Sequence, residues 1–184
     1  MRATLSGDRV LLRPLDAENI PLVISWLSDP DVNRYMLSGH EPISVEDEAR
    51  WYAEMLASES DLVLQIHDAG TGRYLGNTGL HRIDRTHRGA ELGIMIGDKV
   101  QWGRGYGRDA MIALLRHAFG ELGLHRVHLR CHPDNRRGLA AYRAIGFTEV
   151  GREREAVCIE GEWQDHLVLD MLEHEFRELH GDTA

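Results

Sequence analysis

The chain has 184 residues, 42% hydrophobic and 28% charged, a composition that fits one globular domain long enough to bury a core. A formal net charge of -9 excludes the basic footprint of a nucleic-acid binder, and no apolar run of about 18 residues offers a membrane span. Two cysteines, Cys131 and Cys158, make no disulfide framework, and the N-terminus lacks the apolar stretch of a signal peptide, so a reducing, cytoplasmic setting is expected.

Residues 8–15 read as a first strand. A helix follows, with Ile20, Val23, Ile24 and Leu27 at helical spacing, and Asp29-Pro30-Asp31 ends it. Ser44 is the expected N-cap of a second helix carrying Val45, Ala49, Tyr52, Met55 and Leu56. Strands are expected at 62–67, 73–83 and 90–96, the first two joined by a turn at 68–72. A glycine-rich loop then opens a helix with Met111, Leu114, Leu115 and Ala118 on one face and Gly123 as its C-cap. A strand at 126–131 and a short helix at 135–145, stopped by Gly146, lead to a closing hairpin. Its arms are 147–159 and 163–172, turned at Glu160-Gly161-Glu162. Residues 173–184 are left as a C-terminal tail to a single domain at 8–172. The order β-α-α-β-β-β-α-β-α-β-β is mixed α/β.

The loop Trp102-Gly103-Arg104-Gly105-Tyr106-Gly107-Arg108 carries the most chemistry. Glycines at alternate positions allow a tight turn and a close ligand approach. The free N–H groups of the following helix, with its dipole, favour an anion. The string is therefore a phosphate cradle. It lacks the lysine of a Walker loop and the spacing of a dinucleotide fingerprint. Arg126, Arg130, Arg136, Arg137 and Arg143 crowd one short segment against a single acid, Asp134, and Arg104 and Arg108 flank the loop. Such a local excess suits a polyanionic ligand.

Downstream, Asn135, Tyr142 and Gly146-Phe147 follow the strand-like run at 126–131. The two constellations together resemble the GNAT superfamily of acyl-CoA-dependent N-acetyltransferases, from about residue 9 to about residue 172. The chain is most similar to the branch of Rim-type ribosomal-protein N-terminal acetyltransferases and the related polyamine acetyltransferases. Gly105 and Gly107 stand in register with the family's pyrophosphate-binding motif. Trp102 departs from it, standing where Gln or Arg is usual, and Gly138 stands where relatives carry Ser or Ala. The resemblance implies the acyl-CoA N-acyltransferase fold, a mostly antiparallel central sheet flanked by helices. It also implies acetyl-CoA as co-substrate, no metal, and direct attack of an amine on the thioester.

The resemblance assigns Ile94, Met95 and Ile96 to the acetyl group and pantetheine arm. It assigns the segment Trp102, Gly103, Arg104, Gly105, Tyr106, Gly107 and Arg108 to the pyrophosphate, and Asn135 to the pantetheine. Gly93 is expected to ease a bulge that frees backbone donors for the thioester carbonyl. An alkyl amine with a pKa near 10.4 arrives protonated and needs a base. Glu91 is the first choice and His81 the second. Tyr142 is the expected acid for the departing thiolate, and Cys131 is read as packing. His125, His128 and His132 fall on a strand and its loop without metal-ligand spacing. The acceptor is expected against Tyr35, His40, Trp51, His81 and Trp163, and a cationic amine suits the acidic chain. A homodimer contact at Trp163 is compatible with the same sequence. The alternative class is a non-catalytic acyl-CoA-binding sensor, which would not need Glu91 and Tyr142. A nucleotide-phosphate binder would need the missing Walker lysine.

Overall fold

The structure, a computed structural model, describes residues 3–36 and 42–181. Strand β1 (Leu5–Ser6) leads into β2 (Val10–Pro14). Three helices follow: α1 (Ile20–Leu27), α2 (Pro30–Asn33) and α3 (Val45–Ala57). The meander β3 (Leu62–Asp68), β4 (Tyr74–Asp84) and β5 (Gly89–Ile96) comes next. Helix α4 (Tyr106–Phe119), β6 (Arg126–Cys131) and α5 (Arg136–Ile145) alternate behind it. The hairpin β7 (Thr148–Ile159) and β8 (Glu162–Leu172) precedes helix α6 (Glu173–His180).

The strands form one eight-stranded sheet in the order β1-β2-β3-β4-β5-β6-β8-β7. All pairs are antiparallel except β5 with β6. This is the mixed, mostly antiparallel sheet flanked by helices that the resemblance implies.

Side-chain alternation splits the core between the two faces. On β3, Leu62, Leu64 and Ile66 join the larger cluster under α4, while Val63 joins the smaller one under α1 and α3. Met111, Leu114, Leu115 and Ala118 are all buried, as their helical spacing requires. Ser44 caps α3 by accepting from the Asp47 N–H at 3.1 Å. Gly146 stops α5 in the left-handed region, at φ 114°.

Several boundaries differ from the sequence reading. Pro30 starts the one-turn α2, with Asp29 as its cap, rather than only ending α1. Helix α4 ends at Gly120. Gly123 lies beyond it, in the turn where the Leu124 N–H returns to the Ala118 carbonyl at 2.9 Å. The hairpin turn is Glu160-Gly161 alone, both at positive φ, and Glu162 already belongs to β8. The expected tail contains α6, whose Phe176 is fully buried against Phe119 at 5.3 Å between centroids. Among the described residues no helix is long and apolar enough to cross a membrane.

Candidate active site

The site begins with a failure of pairing. Strands β5 and β6 are bridged only at Gly89, Ala90 and Glu91, opposite Arg126, Val127 and His128. Beyond Glu91 the two strands part, and a cavity of about 650 Å³ fills the gap. Leu92 to Ile96, Arg130, Cys131, Trp102, Asn135 and Tyr142 line one part of it. Tyr35, Asp47, Glu48, Trp51 and His81 line the rest.

The gap also settles which backbone groups of β5 are free. The Gly97 N–H donates to the Leu75 carbonyl of β4 at 2.9 Å. Antiparallel bonding alternates, so Gly93 and Met95 face β4 while Ile94 and Ile96 face the gap. The Ile96 carbonyl accordingly accepts from the Trp102 indole N–H, at 2.7 Å. No bulge occurs at Gly93, which sits in register opposite Gly79; the irregularity of this pair lies between His81 and Asp84. The donors are exposed by the parting of the strands, which makes a bulge unnecessary.

The glycine loop meets the same gap. Gly103 and Gly105 take φ of 73° and 88°, a region open to glycine at little cost. Gly105 is the N-cap of α4, and no side chain caps that terminus, whereas Ser44 and Asn135 cap α3 and α5. The first-turn N–H groups of Tyr106, Gly107 and Arg108 therefore stay open to an anion. The Tyr106 side chain donates its hydroxyl to Asp68. That bond holds the Asp68 carboxyl down at about 2 and raises the Tyr106 phenol.

The charge expectation needs correction. Arg126 pairs with Asp170, Arg143 with Glu149, and Arg130 with both Glu91 and Glu153. Those three are neutralised locally. Arg104, Arg108, Arg136 and Arg137 make no ion pair among the described residues and remain to face a polyanion. Arg137 lies over the Trp102 ring, its guanidinium carbon 3.6 Å from the centroid. This contact ties the glycine loop to α5 across the cavity mouth.

Asn135 has a task that sequence reading did not assign. Its Oδ1 caps α5 by accepting from the Gly138 N–H at 3.0 Å. A Cβ on Gly138 would come within 2.6 Å of the Asn135 amide nitrogen, so glycine there leaves that side chain its place. Tyr142 packs edge-on against Phe147, and burial, helped by the neighbouring Cys131, raises its phenol. The hydroxyl stays protonated at neutral pH and has no protein partner among the described residues. Burial also pushes the Cys131 thiol up to about 11, which disfavours a thiolate nucleophile.

Glu91 is 7% exposed, and its carboxylate accepts from Arg130 at 3.1 Å and from Arg82. His81 lines the cavity beside it, directly opposite in the ladder. Tyr35 and Trp51 also reach the cavity, with Tyr35 stacked on His132 at 5.3 Å. Trp163 does not: it is 64% exposed on the hairpin. His40 lies outside the described residues. Among the described residues no cluster of metal-ligating side chains occurs. Sequence reading missed Glu48, a buried acid in the cavity wall whose carboxyl is raised by burial. Its place in the first turn of α3 marks it only as a favourable helix-terminal charge.

Residues 9–148 match the family described as an acetyltransferase (GNAT) domain. The chain is 26% identical over 180 residues to the spermidine N(1)-acetyltransferase of Escherichia coli (strain K12), covering 93% of this chain and 90% of that one. It is 25% identical over 179 residues to the ribosomal protein uS5 alanine N-acetyltransferase of the same bacterium, covering 91% and 89%. The fold matches a crystal structure of spermidine N-acetyltransferase from Vibrio cholerae in complex with CoA and spermine. The TM-score is 0.84 at 22% identity, over 92% of this chain and 99% of that one. This chain belongs to the GNAT acetyltransferases. It is an N-acetyltransferase, an enzyme that moves an acetyl group onto an amine.

Proposed function

We propose that the chain takes its acetyl group from acetyl-CoA and delivers it to a cationic primary amine, either a polyamine or a protein N-terminus. One observation carries this reading. Where β5 parts from β6, Ile94 and Ile96 lie against Gly107 in the first turn of α4, a helix whose N-terminus no side chain caps, whereas Ser44 and Asn135 cap α3 and α5. The pantetheine arm would lie in the gap. Its pyrophosphate would meet the first-turn N–H groups of α4, with Arg104, Arg108, Arg136 and Arg137 nearby. Backbone N–H groups of Ile94 and Ile96 would bond the arm and the thioester carbonyl. Preorganised donors of this kind contribute roughly 3–4 kcal/mol each to acyl transfer.

Tyr142 would protonate the departing sulfur. Tyr142 lines the cavity, and burial keeps its hydroxyl protonated. At the other end, Asp47 and Glu48 line the wall. A cationic amine there would relieve the cost of a charged, buried Glu48. A homodimer through the hairpin that exposes Trp163 belongs to the same reading, and sedimentation velocity tests it.

The primary test is calorimetric titration with acetyl-CoA, with ATP as control. Saturable micromolar binding of acetyl-CoA at one site per chain is expected, followed by thiol release with spermidine or an alanine-initiated peptide. Absence of acetyl-CoA binding would overturn the assignment of both the loop and the α5 residues.

A further inference from the structure

Glu91 is the residue whose position in the strand suggests a base, yet its surroundings suit a different task. Arg82 and Arg130 both donate to its carboxylate. The neighbouring side chain, His81, has the opposite arrangement. One ring nitrogen is anchored and the other faces the cavity. His81 Nδ1 lies 3.1 Å from Asp61 Oδ1. Nε2 leans over Gly93, 3.5 Å from where a Cβ on that residue would sit, and His81 and Gly93 both line the cavity.

Asp61 is itself held in place. Its Oδ1 also accepts from the Arg82 N–H at 3.2 Å. Its Oδ2 accepts from the Ser58 and Ser60 hydroxyls at 2.8 and 3.0 Å. Burial works to raise this carboxyl, but the hydrogen bonds outweigh it and hold the group below its ordinary value. An ionised Asp61 accepts only, so the proton of a neutral His81 is placed on Nδ1 and Nε2 is left bare.

We infer that His81 is the general base of this enzyme and that Asp61 is its positioning residue. The inference rests on the acetyl-transfer reading above. The protonated amine gives one proton to Nε2. The nitrogen lone pair then forms the C–N bond at the thioester carbonyl. As the tetrahedral intermediate collapses, the C–S electron pair leaves on sulfur, which takes a proton from Tyr142. The second amine proton restores Tyr142, and His81 returns the first to water. The products are the amide, free CoA and one proton. Donor and acceptor thus stand on different walls of one cavity, Tyr142 on α5 and His81 on β4.

The charged groups facing His81 are accounted for on each element. Asp61 comes from the loop before β3, Glu91 from β5, Arg82 from β4, and Arg130 with His128 from β6. Asp47 and Glu48 line the same cavity from α3. Arg82 and Arg130 engage Glu91, and Arg130 also pairs with Glu153, so Asp61 is the acid that fixes the imidazole.

The test compares wild type, His81→Gln and Asp61→Asn with acetyl-CoA and spermidine across pH. All three should bind acetyl-CoA within about threefold of each other by calorimetry. His81→Gln should lower kcat by about 100-fold or more and abolish the acid limb of the kcat/KM profile. Asp61→Asn should lower kcat by about 10-fold and move that limb to lower pH, since the neighbouring negative charge is removed. Rates within twofold of wild type and superimposable pH profiles would overturn the dyad. A second readout needs no acceptor or variant. Nitrogen NMR of the wild-type imidazole should show Nδ1 protonated and Nε2 bare above the acid limb; the reverse tautomer overturns the proposal. Wild type that fails to bind acetyl-CoA refutes the acetyl-transfer reading and takes the dyad with it. Intact acetyl-CoA binding with the wrong tautomer removes the dyad alone.

Discussion

Trp102 departs from the family motif, and the structure shows what it does there. Its indole N–H donates to the Ile96 carbonyl at 2.7 Å, and its ring lies under the Arg137 guanidinium at 3.6 Å. The first contact fastens the loop to the end of β5; the second fastens it to α5. Arg137 is exposed, so the cation–π contact falls at the lower end of its range, about 0.5–1 kcal/mol. The hydrogen bond contributes a further 0.5–1.5 kcal/mol or so. Trp102→Ala should therefore destabilise by roughly 1–2.5 kcal/mol before any loss of apolar burial is counted. Trp102→Phe keeps a ring for Arg137 and should lose only the hydrogen-bond share. The decisive assay is a double-mutant cycle on Trp102→Ala and Arg137→Ala by urea unfolding. The coupling energy should be about 0.5–1 kcal/mol. Since one kcal/mol is about a fivefold change in an equilibrium constant, acetyl-CoA Kd should rise by a similar factor if the mouth loosens. A coupling energy within about 0.3 kcal/mol of zero would refute the reasoning, because residues this close with no energetic link do not clamp anything.

Tyr142→Phe should lower kcat about 10-fold or more while acetyl-CoA Kd stays within about threefold, and an unchanged kcat rules out the acid role. Phe176→Ala should cost about 3–5 kcal/mol, seen as a Tm drop on the order of 10 °C, because the ring is fully buried between Phe119 and His180. A drop within 2 °C would mean that α6 is not part of the cooperative unit. Glu48 has its carboxyl raised by burial, so the folded state binds its proton more tightly than the unfolded chain does. Its contribution to stability therefore falls as pH rises from the unfolded value near 4.5 through the raised folded value. Glu48→Gln should flatten that dependence and increase the urea midpoint at pH 8, while raising KM for a cationic acceptor. A lower midpoint at pH 8 would contradict the burial argument.

The sequence by itself determined whatever depends on near neighbours along the chain. The apolar spacing of Met111, Leu114, Leu115 and Ala118 places them on one helix face, and they are buried. Ser44 caps α3 because a hydroxyl just before the helix reaches its third N–H. Gly103 and Gly105 turn the chain because side chains rarely adopt those angles. What escaped the sequence is what long-range packing decides. Helix α6 reads as a tail because half of Glu173 to His180 is charged and two more are histidines; it forms by docking the single ring of Phe176. The donors of β5 were expected from a bulge at Gly93, a local device. They come instead from the loss of pairing with β6, a strand that begins 30 residues after β5 ends. Clustered arginines promised a positive field, but Arg126, Arg130 and Arg143 each find an acid that only the folded sheet brings near. Asp61 and His81 are 20 residues apart, and Trp102 and Arg137 are 35 apart. Periodicity and capping act over about a turn of helix, and neither carries information across such distances. Which strands stop pairing, and which charges meet, is set by burial of the whole sheet, and that is where the site is made.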